Sequence, residues 1–202
     1  MTKEQWAELI NLKLAGGDAP AQIQGQYSIQ EIELYLTMAF NDVLASAWKE
    51  SPSLVDDFVR SKKIALQTDT TRDERYVVIP SGVLPLPSNQ GIIQIRQPKN
   101  PNMAFALIDI NALPILSELE VGVIDNRVGY YAEGTKVYFD EHLPSIVEEL
   151  LVKWITPFEG LGDEDEVSVP GGNNQVVFDT VYKLMLKTQA PVNQDNMVRK
   201  NV

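Results

Sequence analysis

The feature that most constrains this chain is a change of hydrophobic period near residue 60. Before it, apolar residues recur at helical spacing. After it, short β-prone runs are punctuated by proline. Two grammars kept in separate stretches predict an α+β fold, with N-terminal helices packed beside a small antiparallel β-domain, followed by a C-terminal helix and an extended tail. In the first stretch Thr2 and Gln5 have the spacing of a capping box, and Trp6, Leu9, Ile10 and Leu14 repeat helically until Gly16-Gly17. Ser28 and Glu31 form a second capping box. Behind it Ile29, Ile32, Leu36, Ala39, Phe40, Val43 and Ala47 share one stripe up to Trp48. Ser51-Pro52 predicts an N-cap with proline at the first helical position, and Leu54, Val55, Phe58 and Val59 continue a short third helix.

Past Arg60 the predicted strands are Lys63 to Gln67, Tyr76 to Ile79, Ile92 to Arg96 and Ala104 to Ile108. Tyr130 to Glu133 and Thr135 to Phe139 flank Gly134, whose tolerance of positive φ suits a tight hairpin turn. Ala112 to Glu120 has the composition of a short helix. Ile146 to Ile155 fits both a helix and a strand, and period alone does not separate them. Glu159 to Asn174 reads as an acidic, Gly-rich loop. Val177, Val181, Leu184 and Met185 then mark a helix from a cap at Asn173 or Asn174 to about Lys187. The expected organisation is a helical region over 1–60, a mainly β-region over 61–158, an acidic loop and helix over 159–187, and an extended tail over 188–202. That tail, with Val192, Met197 and Val198 as its apolar anchors beside Arg199 and Lys200, has too little apolar surface to fold alone.

Composition then limits chemistry and partners. The 202 residues can bury about 70% of their unfolded surface, enough for a core without staples. With no Cys there are no disulfides, thiolate metal sites or Cys nucleophile. Net charge of −11 opposes tight binding along a phosphate backbone. The opening MTKEQWAELINLKLAGG has the pattern of neither a signal nor a transit peptide, and no run approaches the length of a membrane span.

No catalytic constellation emerges. The only His, His142, sits in a polar stretch with no Cys to complete a zinc site. Neither a nucleophile elbow nor a phosphate-binding glycine loop occurs. Asp163 to Glu166 offers hard oxygen ligands but lacks the spacing of an EF-hand, so a solvated loop is the expectation. Tyr130, Tyr131, Tyr138 and Phe139 stand among Glu133, Asp140 and Glu141, which suits hairpin packing better than a nucleic-acid platform. No catalytic, cofactor-binding or metal-binding residue is assigned. Leu34, Tyr35, Met38 and Leu44 are the candidate subunit contacts on the long helix, because they fall outside its main stripe. Val192, Met197, Val198, Arg199 and Lys200 are the candidates in the tail.

The order of segments carries a resemblance. The run VLPLPSNQGIIQI (83–95), the hairpin VGYYAEGTKVYF (128–139), ELLVKWITPFEG (149–160) and the ending TQAPVNQDNMVRKN (188–201) resemble head-to-tail connector, or ring, proteins of tailed bacteriophages. The likeness is to those of podoviruses that infect Bacteroidetes and are related to crAss-like phages, and it spans the chain from about residue 60 onward. It implies a non-enzymatic virion protein without cofactors, made in the host cytoplasm and forming a homo-oligomeric ring, commonly a dodecamer. Its partners would be the portal protein and adjacent tail or ring proteins, with genome DNA passing the bore unbound and no membrane contact. A minor tail or head-completion protein is the alternative.

Overall fold

The computed structural model describes residues 1–19, 23, 27–87, 90–108 and 127–189. The fold is α+β. Two compact units divide the chain: Met1–Ser51 together with the chain from Gly162 onward, and Pro52–Leu161 between them.

The helical unit contains α1 (Lys3–Gly16), α2 (Ile29–Glu50) and α3 (Asn174–Gln189), with α2 packed on both others. Both predicted capping boxes form. Thr2 Oγ1 accepts from the Gln5 N–H at 3.3 Å and Ser28 Oγ from the Glu31 N–H at 3.2 Å, while each partner's side chain returns to the cap's backbone N–H. Gly17 ends α1 in the left-handed conformation, and Asn173 caps α3 by accepting the Gln175 N–H at 3.1 Å. The core of this unit forms where Trp6, Ile10 and Leu14 of α1 meet Ile32, Leu36, Phe40 and Val43 of α2 and Val177, Phe178, Val181 and Met185 of α3, all buried. Ile29, assigned to the core stripe from its spacing, is instead 40% exposed. It is the first residue of α2, where the helix begins ahead of its packed face.

In the other unit Pro52–Phe58 is a 3₁₀ segment, and the chain is already extended at Val59. The expected short third helix forms as this 3₁₀ segment with proline at its start, and only its last assigned residue differs, the β-branched Val59 going to a strand. One sheet has the order β1 (Val59–Ala65), β8 (Glu149–Ile155), β4 (Ile92–Arg96). The other runs β2 (Gln67–Asp69), β3 (Glu74–Val78), β7 (Lys136–Phe139), β6 (Arg127–Glu133), β5 (Ala104–Leu107). Every pair is antiparallel except β5 with β6, which is parallel, so the expected antiparallel domain is in fact mixed.

The ambiguous segment resolves as a strand. In β8 Leu150, Val152 and Trp154 point inward, whereas Glu149, Leu151 and Lys153 are partly exposed, and Ile146, which a helix would have placed with Leu150, is 85% exposed. Neighbours on both edges satisfy its backbone, a role that only extended chain can fill. Inward residues of both sheets, Ile92, Ile95, Leu150, Val152 and Trp154 from one and Val77, Val128, Val137 and Phe139 from the other, share one core. The β6–β7 hairpin closes through Gly134-Thr135. Only the first of these has positive φ (61°), as expected of Gly134, while Thr135, expected to open the strand, belongs to the turn, which has the II′ pattern. The candidate helix Ala112 to Glu120 lies outside the described residues.

Gly160 is fixed by close approach: a Cβ there would overlap the Ser81 carbonyl oxygen, which is backbone and cannot swing aside. We expect Gly160→Ala to lower unfolding free energy by about 1–3 kcal/mol. Gly16→Ala, where the added methyl meets nothing within 4 Å, should be neutral or stabilising by up to about 1 kcal/mol. Chemical denaturation of both variants checks the contrast.

Candidate assembly surfaces

At 100° per residue, Leu34 and Met38 fall on the side of α2 opposite Ile32, Leu36 and Val43. They are 60% and 46% exposed, a neighbouring apolar pair four residues apart on a helix whose other face is fully covered. Tyr35 lies between the two faces and is half-buried; its hydroxyl is 2.8 Å from Thr188 Oγ1, which ties α2 to the last turns of α3. Leu44 is corrected: it is fully buried. It follows Phe40 by one helical turn. Because α2 is covered from two sides, by α1 and by α3, its buried arc is wider than a single-partner stripe.

The acidic loop Asp163 to Glu166 is exposed at all four positions. Asp165 folds it locally, its carboxylate accepting the Gly162 N–H at 2.8 Å, and Lys3 Nζ lies 3.9 Å from Asp163. Among the described residues no group of three or more His, Asp or Glu is placed to hold a metal ion. His142 is exposed, with Nδ1 3.2 Å from Asp140. The same carboxylate accepts the Gly129 N–H at 2.9 Å and the His142 N–H at 3.1 Å, so Asp140 organises the turn after β7. A cleft of about 700 Å³ lies among Pro80, Pro85, Pro157 and Glu159; its Ser81 hydroxyl accepts the Trp154 indole N–H at 3.1 Å. Val192, Met197, Val198, Arg199 and Lys200 lie outside the described residues.

The tyrosines split between two faces. Phe139 enters the core, where its ring is 6.0 Å from that of Phe105, and Tyr130 packs against the same core. On the other face Tyr76, Tyr138 and Tyr131 form a row across β3, β7 and β6. Tyr131 stacks on Tyr138 at 5.2 Å and Tyr76 lies 5.4 Å from Tyr138. Arg72 covers the Tyr138 ring at 5.0 Å while reaching Glu133 at 2.6 Å, and Lys136 sits 4.5 Å from the Tyr76 centroid. Tyr131 and Tyr138 are buried, so the row is a packed cap on the sheet. Tyr76 was not among the aromatic residues grouped from the sequence. Only strand register brings it there, since more than fifty residues separate it from the hairpin.

Ion pairing holds the Glu133 carboxyl below its ordinary range and raises the Arg72 guanidinium. Burial, reinforced by the Glu74 carboxylate that accepts its hydroxyl at 2.5 Å, pushes the Tyr131 phenol up to about 12.

No protein-family model matches this chain, and a search of curated proteins returns no match. Among the described residues no helix is long and apolar enough to cross a membrane.

The Tyr131 environment sets a pH dependence. Its folded value lies above the ordinary 10.0, so its contribution to stability is complete below pH 10 and fades as pH rises towards about 12. In an ultraviolet titration of tyrosinate, we expect a late phase near pH 12 that Tyr131→Phe removes.

Proposed function

We propose that this protein is a non-enzymatic structural component of a phage virion, forming a homo-oligomeric ring in the head-tail connector between portal and tail. The observation that carries the reading into the structure is the exposed Leu34–Met38 pair, standing opposite the core of a 22-residue helix. Exposed apolar surface on the back of a packed helix favours a protein neighbour. The resemblance of the 83–95, 128–139 and 149–160 segments to connector proteins supplies the setting. A ring needs a heterologous contact, in which one patch meets a different patch on the next copy and the rotation closes. Net charge of −11 per copy supports a bore that repels phosphates and lets DNA slide. Copies would assemble in the host cytoplasm onto the portal, with adjacent ring or tail proteins below.

Leu34→Glu with Met38→Glu tests the contact. Both positions are exposed, so the melting transition should move little, by the equivalent of about 0.5 kcal/mol or less. Assembly onto portal rings, followed by native mass spectrometry and electron microscopy, should be lost. Normal assembly of the double variant would remove α2 from the interface. A trimeric or sixfold wild-type particle would favour a minor tail protein instead.

A further inference from the structure

The three-stranded sheet turns a basic face outward. Antiparallel register aligns Lys63 of β1, Leu151 of β8 and Arg96 of β4 in one row, and Ser61, Lys153 and Gln94 in the next. Directly paired residues share a face, and the alternate residues Leu150, Val152 and Ile95 fill the core, so both rows look away from it. Lys63 and Arg96 are exposed and Lys153 partly so. One carboxylate shares the face, Glu149, with its oxygen 3.7 Å from Lys63 Nζ. Among the described residues Arg96 and Lys153 have no ion pair. Lys62 and Arg60 are also exposed on the edge strand β1, but they pair with Val152 and Trp154 and so alternate to the other side, leaving Lys63, Lys153 and Arg96 as the cations of this face. Such a cluster is unexpected in a chain of net charge −11.

We propose that this sheet face docks the acidic loop Asp163 to Glu166 of a second copy. The inference deepens the ring reading by naming a head-to-tail contact. Charge complementarity carries it: the loop offers four consecutive exposed carboxylates, and among the described residues neither Glu164 nor Glu166 has an ion pair. Size agrees as well. Strands about 4.8 Å apart place Lys63 and Arg96 roughly 10 Å from each other, and four residues reach at most about 14 Å. The acids Asp56 and Asp57 precede β1, and Glu148 and Glu149 open β8 at the opposite end of the pairing, so carboxylates bracket the strip at both ends. A compact acidic loop fits between them, whereas an extended polyanion such as DNA would run over them. With a screening length of about 8 Å in physiological salt, these local charges outweigh the repulsion between two acidic copies. Ser61, Gln94 and the partly exposed Leu151 add polar and apolar surface between the charges. The two patches are different, so the contact is heterologous and propagates from copy to copy.

The test is a charge swap in the full chain. One variant carries Arg96→Glu with Lys153→Glu; the other carries Glu164→Lys with Glu166→Lys. Sedimentation velocity and native mass spectrometry at low and high salt would measure self-association, with thermal melts confirming folding. Wild type should associate, more weakly in high salt. Each variant alone should bind itself about tenfold or more weakly, since like charges then meet. An equimolar mixture should recover association, because each reversed patch now faces its opposite. Variants that associate like wild type, a mixture that does not recover, or a wild type that stays monomeric at low salt would overturn the inference. So would duplex DNA binding that Arg96→Glu with Lys153→Glu abolishes in the absence of self-association. The ring reading fails separately, if copies pair as described but never assemble on portal rings.

Discussion

The ring of Trp6 holds the helical unit together, and most of that unit's topology follows from it. It is fully buried; it meets Phe40 edge-on at 5.2 Å and Phe178 at 5.7 Å, and its indole N–H reaches the Val167 carbonyl oxygen at 3.4 Å. Those partners come from α2, from α3 and from the segment that leads into α3. An aromatic side chain of this size cannot be covered by one neighbouring helix, so the two N-terminal helices depend on chain that arrives after residue 160. The β-unit is consequently an insertion between Ser51 and Gly162. Lys13, 4.9 Å from the Phe178 ring centroid, adds a cation–π contact across the same junction of α1 and α3.

In the inserted unit β8 plays the corresponding part. It is the middle strand of its sheet, and its inward residues Leu150, Val152 and Trp154 share the core with Val77, Val137 and Phe139 of the other sheet. The Trp154 indole N–H donates to Ser81 Oγ, so the polar end of a buried aromatic is satisfied by the loop after β3. Arg75 fastens another loop by donating to the carbonyl oxygens of Pro144 and Val147. These hydrogen bonds add direction to apolar burial, which by itself has none.

Net charge says little about where charge acts. The acids outnumber the bases 28 to 17, yet one sheet face carries Lys63, Lys153 and Arg96 against a single carboxylate. The tyrosine row shows the same local logic, since Arg72 and Lys136 lie over aromatic rings while Glu133, Glu74 and Asp69 engage them or the tyrosine hydroxyls. Screening makes the nearest few charges decide what a surface attracts, and charge summed over the chain is a poor guide to any one face.

What the sequence determined by itself were the features written within a few residues of one another. The capping boxes at Thr2 and Ser28, the stop at Gly17, the Gly134 turn and the α+β division are local, because a cap or a two-residue turn is completed by atoms only two to four residues apart. The outward pair Leu34 and Met38 was legible for the same reason, helical period being a local property. Tertiary structure decided the rest. Leu44 is buried on a helix that packs against both α1 and α3, and Ile146 to Ile155 is extended where two strands from distant parts of the chain hydrogen-bond to the edges of β8. Tyr76 joins Tyr138, and Lys63 and Arg96 come to flank Leu151, only through strand register. A shift of one residue would have sent each of those side chains to the opposite face, and the pairing that sets the register is long-range, so no window of sequence contains it.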